Sequence, residues 1–140
     1  MRILVTGSSG HLGEALMRLL PEAGHTALGL DIKPSPFTTH IGSITDPALT
    51  RRLAAETEAI LHTATLHKPH VATHSRQDFV DTNITGTLTL LEAATMAGHT
   101  RFIFTSTTSA FGDALRPAPG APAAWIDEAA QGVSKNIYGA

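Results

Sequence analysis

The residues with the clearest chemical purpose are Thr6-Gly7-Ser8-Ser9-Gly10-His11-Leu12-Gly13. Glycines at 7, 10 and 13 suit a turn in which backbone must come close to a large anion. One glycine permits the tightest bend, and a second lets main chain approach a pyrophosphate. A third lets a helix pack on the preceding strand with no Cβ between them. Free N–H groups of Ser9, Gly10, His11, Leu12 and Gly13 at the helix start then point at phosphate oxygens, assisted by the helix macrodipole. Taken alone, these glycines equally suit an ordinary strand-to-helix turn. Their place after the first apolar run, with an acidic residue, Asp31, about 20 positions further on, fits a dinucleotide fingerprint. Asp31 is expected to accept hydrogen bonds from both adenosine ribose hydroxyls. Its charge repels a 2′-phosphate, which favours NAD over NADP, while Lys33 works against that preference. A solitary Asp31 would read equally as a solvated strand-end carboxylate.

The elements that must position this turn alternate between strand and helix. Ile3-Leu4-Val5 is a short apolar run ending in glycines and reads as a buried strand. A helix is expected over 11–23, with Leu12, Leu16, Leu19 and Leu20 at helical spacing and Gly24 as a stop. A second strand follows over 26–30. Thr45-Asp46-Pro47 supplies an N-cap and a first-turn proline for a helix over 47–56, before a third strand over 59–63. A long helix is expected over 76–97, where Ile84, Leu88 and Leu91 share one face and Gly98 ends it. A fourth strand covers 101–106, rich in β-branched and aromatic residues. The Pro/Ala/Gly-rich stretch 113–124 reads as a loop, and 133–140 as the opening of another helix. Buried strands alternating with helices imply a Rossmann-type, doubly wound parallel sheet of about four strands, in the order 3-2-1-4. Residues 1–140 are expected to form one nucleotide-binding domain.

Composition narrows the rest. The chain has 140 residues, 42% of them hydrophobic and 16% charged, which excludes disorder and collagen-like repetition. No apolar run approaches the roughly 18 residues of a membrane span, and no signal-peptide apolar region precedes Gly7. Zero cysteines exclude disulfides and thiolate chemistry. Ten basic residues scattered among twelve acidic ones do not make the positive face that nucleic acid requires, so no nucleic-acid partner is expected. A cytoplasmic protein is the expectation.

The spacing Gly7-x-x-Gly10-x-x-Gly13 resembles that of the short-chain dehydrogenase/reductase superfamily, specifically its extended branch, the NAD-dependent epimerase/dehydratase family. Four further stretches are similar in order and spacing. They are Ile60-Leu61-His62-Thr63-Ala64; Asn83-Ile84-Thr85-Gly86-Thr87 with Leu90-Leu91-Glu92-Ala93-Ala94; 102–112 from Phe102 to Gly112; and Asp127-Glu128 with Asn136-Ile137-Tyr138-Gly139. The resemblance implies that Thr107 and Tyr138 are catalytic. The tyrosinate would remove a proton from a substrate hydroxyl as hydride leaves that carbon, and Thr107 would hydrogen-bond the same oxygen. It also implies cofactor contacts from Ile32, Ser43, Ile44, Thr63, Ala64, Thr65, Asn83 and Thr105. Ser43 stands where the family commonly has an Asp contacting the adenine amino group, and its hydroxyl can still accept that bond. Thr63 and Thr65 are more polar than the family's usual residues.

The family also implies a lysine one helical turn after the tyrosine, at position 142, to lower a phenol pKa that is near 10 when free. The sequence runs to Ala140, so it resembles the amino-terminal part of an enzyme and is expected to be inactive as given. Lys135, three residues before Tyr138, is the substitute to consider, with a solvated lysine as the ordinary reading. His67, His70 and His74 with His62 raise a metal site, but without cysteine or a nearby carboxylate none is expected. A nucleotide sugar is the substrate class the resemblance suggests, with steroid- or flavonoid-type alcohols open. A non-catalytic NAD-binding or scaffold module is the alternative. An open sheet edge and unpartnered helix faces imply an aggregating or oligomeric fragment, a homodimer among the options.

Overall fold

In the computed structural model, residues 1–139 are described. They form two compact units. The first comprises Met1–Leu66 and Val80–Thr105; the second comprises His67–Phe79 and the chain from Ser106 onward.

Among the described residues the first unit holds a parallel sheet of five strands: β1 (Arg2–Thr6), β2 (Thr26–Asp31), β3 (His40–Ile41), β4 (Ala59–His62) and β5 (Phe102–Phe104). Their order is β3-β2-β1-β4-β5. The Rossmann-type class is as expected, but the strand count is not. The two-residue β3 carries too little pattern to be read from sequence, and it takes the place beyond β2 that had been assigned to residues 59–63. That segment, β4, pairs with β1 instead, placing Leu4 beside both Leu28 and Ile60. With β3 counted, the order 3-2-1-4-5 keeps β1 at the centre, with the glycine turn leaving its carboxyl end.

Helix α1 (His11–Glu22) packs on β1 and β2, while α2 (Pro47–Ala55) and α4 (Gly86–Met96) pack on each other. Leu4, Leu28, Leu30 and Ile60 form one core cluster with Leu53 and Ala54 of α2 and Leu90, Ala93 and Ala94 of α4. Strand alternation sends Ile3 and Val5 to the opposite face. Asp46 caps α2 as expected, accepting from the amides of Ala48 at 2.9 Å and Leu49 at 3.1 Å.

The expected helix over 76–97 is three pieces: α3 (Arg76–Phe79), a π-helical turn (Val80–Thr85), and α4. Its apolar stripe is the exposed face. Ile84, Leu88 and Leu91 are 62%, 54% and 43% exposed, whereas Gly86, Thr89, Leu90, Ala93 and Ala94 are buried. Small residues face the core because α4 lies close to its neighbours: a Cβ on Gly86 would sit 2.5 Å from Ile44 Cδ1. No helix among the described residues is long and apolar enough to cross a membrane.

In the second unit, besides α3, short 3-10 turns cover Lys68–Ala72, Thr108–Phe111 and Asp113–Leu115, and Gly112 bridges to Val133. The expected helix over 133–140 does not form within 133–139; Ala140 lies outside the described residues. The Asn136 side chain takes the amides of Tyr138 at 2.9 Å and Gly139 at 3.3 Å, closing a local turn that competes with helix.

Candidate functional site

The glycine turn is built by close approach. Gly7 has φ +73°, and a Cβ there would lie 2.8 Å from the Ala64 nitrogen and 2.9 Å from Thr63 Oγ1. A Cβ on Gly13 would fall 2.0 Å from the Gly7 carbonyl oxygen. Gly10 is the extended N-cap of α1; its amide donates to the Gly7 carbonyl at 2.9 Å and its carbonyl accepts from Glu14 at 2.8 Å. No side chain caps α1, and the amides of His11 and Leu12 have no protein acceptor among the described residues. A 12-residue helix thus starts with open donors and a positive dipole end. This is a surface an anion can occupy without displacing a protein contact.

Asp31 ends β2 beside this turn. Its Oδ2 accepts from the Ser9 amide and its Oδ1 from the Lys33 amide, each at 2.9 Å. These bonds fix the carboxylate and leave each oxygen a further lone pair for a hydroxyl. Lys33 approaches Asp31 through its backbone. Ile32 is exposed next to it.

Two residues of this region were missed in the sequence. Ser8 is buried, with its Oγ 3.2 Å from Thr38 Oγ1. Gly29 lies so close to residues 37–39 that a Cβ would meet the Phe37 carbonyl oxygen at 2.0 Å and Ser8 Cβ at 2.8 Å. Glycine inside a strand was the available signal for such an approach. Segment 35–39 therefore buttresses the glycine turn from behind, and Arg18 of α1 stacks 4.5 Å from the Phe37 ring centroid.

The remaining expected contacts divide. Ser43 Oγ accepts from the Thr45 amide at 3.1 Å and pairs with Thr45 Oγ1 at 2.8 Å. Ile44 is a core side chain packed on Gly86, so only its backbone is open to a ligand. Thr63 and Ala64 give their amides to Thr6 Oγ1, both at 3.2 Å. Thr65 gives its hydroxyl to Asn83 Oδ1 at 3.1 Å. Asn83, expected on a regular helix, sits in the π-helical turn. Its carboxamide clamps Leu66, donating to the carbonyl and accepting from the amide, both at 2.8 Å. Thr105 follows β5 and donates its amide to the His62 carbonyl at 3.0 Å.

Thr107 and Tyr138 belong to the second unit. Thr107 Oγ1 accepts from the Ser109 amide at 3.1 Å, capping the 108–111 turn and leaving its hydroxyl hydrogen to donate elsewhere. The Tyr138 segment runs alongside that turn, since a Cβ on Gly139 would lie 2.7 Å from the Ser109 carbonyl oxygen. Lys135, whose ordinary reading is a solvated lysine, is engaged elsewhere. It pairs with Asp113, whose carboxyl it holds below the usual range, mainly through that hydrogen bond. His67, His70 and His74 meet edge to face, with ring centroids 4.6 and 5.1 Å apart. His70 Nδ1 accepts from the His67 amide at 3.0 Å, and no metal-holding group of three or more ligands occurs among the described residues.

Residues 3–139 match the model of the NAD dependent epimerase/dehydratase family, and the chain belongs to that family. It is 34% identical over 118 residues to a 3-beta-hydroxysteroid dehydrogenase of Mycolicibacterium neoaurum, covering 77% of this chain and 32% of the relative. It is 31% identical over 130 residues to a UDP-glucose 4-epimerase of Klebsiella pneumoniae, covering 81% of this chain and 94% of that one. Among solved structures, a short-chain dehydrogenase/reductase superfamily protein from Agrobacterium tumefaciens with bound NAD superposes with a TM-score of 0.80 at 31% identity. The match covers 99% of this chain and 41% of that one. The UDP-glucose 4-epimerase of Thermotoga maritima with UDP-glucose gives a TM-score of 0.83 at 26% identity, covering 99% and 47%. The chain thus spans about a third of the steroid dehydrogenase and under half of these two structures.

Proposed function

We propose that this chain is the NAD-binding portion of an oxidoreductase or epimerase acting on a hydroxyl-bearing substrate, with residues 1–140 as its nucleotide-binding domain. The observation that carries the reading is the Gly7–Gly10–Gly13 cradle, with open amides at α1 and the Asp31 carboxylate fixed by Ser9 beside it. The open amides of His11 and Leu12 bind the pyrophosphate, while the expected Ser9 and Gly10 amides are spent on Asp31 and the Gly7 carbonyl; Asp31 takes the adenosine ribose hydroxyls and disfavours a 2′-phosphate. Ser43 and the backbone of Ile44 serve the adenine end; Ile32, Thr63, Ala64, Thr65, Asn83 and Thr105 shape the remaining wall. When bound, NAD supplies the hydride acceptor. Thr107 donates a hydrogen bond to the reacting oxygen, and Tyr138 receives its proton.

The 31% identity to a UDP-glucose 4-epimerase supports a nucleotide sugar as substrate. The 34% identity to a 3-beta-hydroxysteroid dehydrogenase favours a sterol-type secondary alcohol as the second reading. Calorimetric titration with NAD and NADP tests the binding reading: saturable NAD binding, stronger than NADP, is expected. Equal affinity for both removes the role assigned to Asp31. In a polypeptide that carries the lysine, conversion of UDP-glucose to its 4-epimer without net NADH, against net NADH formation from a 3-beta-hydroxysteroid, separates the two substrate classes.

A further inference from the structure

His62 is 1% exposed at the end of β4, and nothing in the proposed chemistry uses it. Its partners assign its proton. Thr6 Oγ1 accepts the Ala64 amide at 3.2 Å and shares the Thr63 amide with the Thr6 carbonyl oxygen, at 3.2 and 3.3 Å. Among the described residues the acceptor within reach of its own hydrogen is His62 Nδ1, 2.7 Å away. A neutral imidazole that accepts at Nδ1 carries its proton on Nε2. Nε2 in turn lies 2.9 Å from Thr87 Oγ1, and the Thr87 hydroxyl donates to the Asn83 carbonyl at 2.7 Å. Every donor in the series meets an acceptor, in one direction only.

Both ends of this series hold the same loop. Thr6, directly before Gly7, grips residues 63 and 64. Asn83, in the π-helical turn, grips residues 65 and 66 through its side chain. The Phe102 and Phe104 rings pack against the imidazole, with centroids 6.1 and 5.6 Å from its own, and His62 is 1% exposed.

We infer that His62 is a positioning residue that bridges the hydroxyls of Thr6 and Thr87, locking the glycine turn and residues 63–66 into one rigid wall for the cofactor. The wall is a cofactor wall on the reading proposed above; the bridge itself does not depend on it. Asparagine at 62 can present its Oδ1 to Thr6, but its Nδ2 lies one bond short of the imidazole Nε2 that meets Thr87, and Thr87→Val removes the other partner while keeping the side chain's shape.

The test uses the 140-residue protein labelled with 15N. The imidazole nitrogen shifts of His62 are expected to report the Nε2–H form. In His62→Asn and in Thr87→Val, hydrogen exchange at Ala64 and Leu66 is expected to speed up beyond any change in global stability. NAD affinity is expected to fall about tenfold, as when one buried hydrogen-bond partner is lost. An Nδ1–H form in the wild type overturns the bridge without needing any variant. Folded variants with wild-type exchange and wild-type NAD affinity overturn it as well. Accelerated exchange in a protein that binds no NAD supports the bridge and refutes the NAD reading, so the two failures are distinguishable.

Discussion

Acid should weaken this fold through His62 in a calculable way. Burial lowers its pKa from 6.5 to about 4. The unfolded chain therefore takes up a proton near pH 6.5, whereas the folded one resists until about pH 4. Stability from this group is complete above pH 6.5 and drains away as pH falls toward 4. The full loss is about 3 kcal/mol, of which about 2 kcal/mol falls between pH 7 and pH 5. The groups around the ring are Thr6 of β1, Thr87 of α4 and the Phe102 and Phe104 rings of β5, and none of these titrates in that range. Urea unfolding at pH 7, 6 and 5 measures the slope. In His62→Gln the same protocol subtracts the contribution of the other seven histidines, leaving the part due to His62. A wild-type slope no steeper than that of His62→Gln would refute the argument, because the proton would then bind folded and unfolded chains equally.

Further outcomes follow from the same geometry. Gly29→Ala should destabilise the first unit by about 1–3 kcal/mol in urea unfolding, since its Cβ meets a backbone carbonyl at 2.0 Å that cannot rotate away. In a polypeptide carrying the family's lysine, Tyr138→Phe should lower the rate of NAD reduction by about 10²–10⁴-fold and leave the dissociation constant of NAD unchanged in calorimetry.

How far the sequence could be read depended on what each residue's identity constrains. The glycines at 7 and 13 were legible because a Cβ at either falls within 3 Å of backbone, with φ +73° at Gly7, whereas a Cβ at Gly10 would sit a looser 3.2 Å from the Gly7 carbonyl oxygen. The cap at Asp46 was legible for the same local reason. Helix α4 was misread because it is apolar almost all round, so the periodic Ile84, Leu88 and Leu91 marked a helix without marking its buried side. Close packing selected the small residues Gly86, Ala93 and Ala94 for the core, a choice set by the neighbouring Ile44 and α2. Strand β3 was missed because two residues carry no alternation. The helix expected over 133–140 yields within 133–139 to the Asn136 side chain, which accepts from the amides of Tyr138 and Gly139, a local competition that apolar pattern alone does not reveal. His62 stood in the motif from the start, yet its role needed the three-dimensional meeting of Thr6 and Thr87.

The central claim is that the turn at residues 6–13 and the carboxylate at 31 together hold a dinucleotide. Calorimetric titration of NAD into the wild type, Gly13→Ala and Asp31→Ala tests it most directly. The account predicts saturable binding to the wild type, none to Gly13→Ala, where the new Cβ lies 2.0 Å from the Gly7 carbonyl oxygen, and about tenfold weaker binding to Asp31→Ala. Equal NAD affinity in all three folded proteins would contradict it.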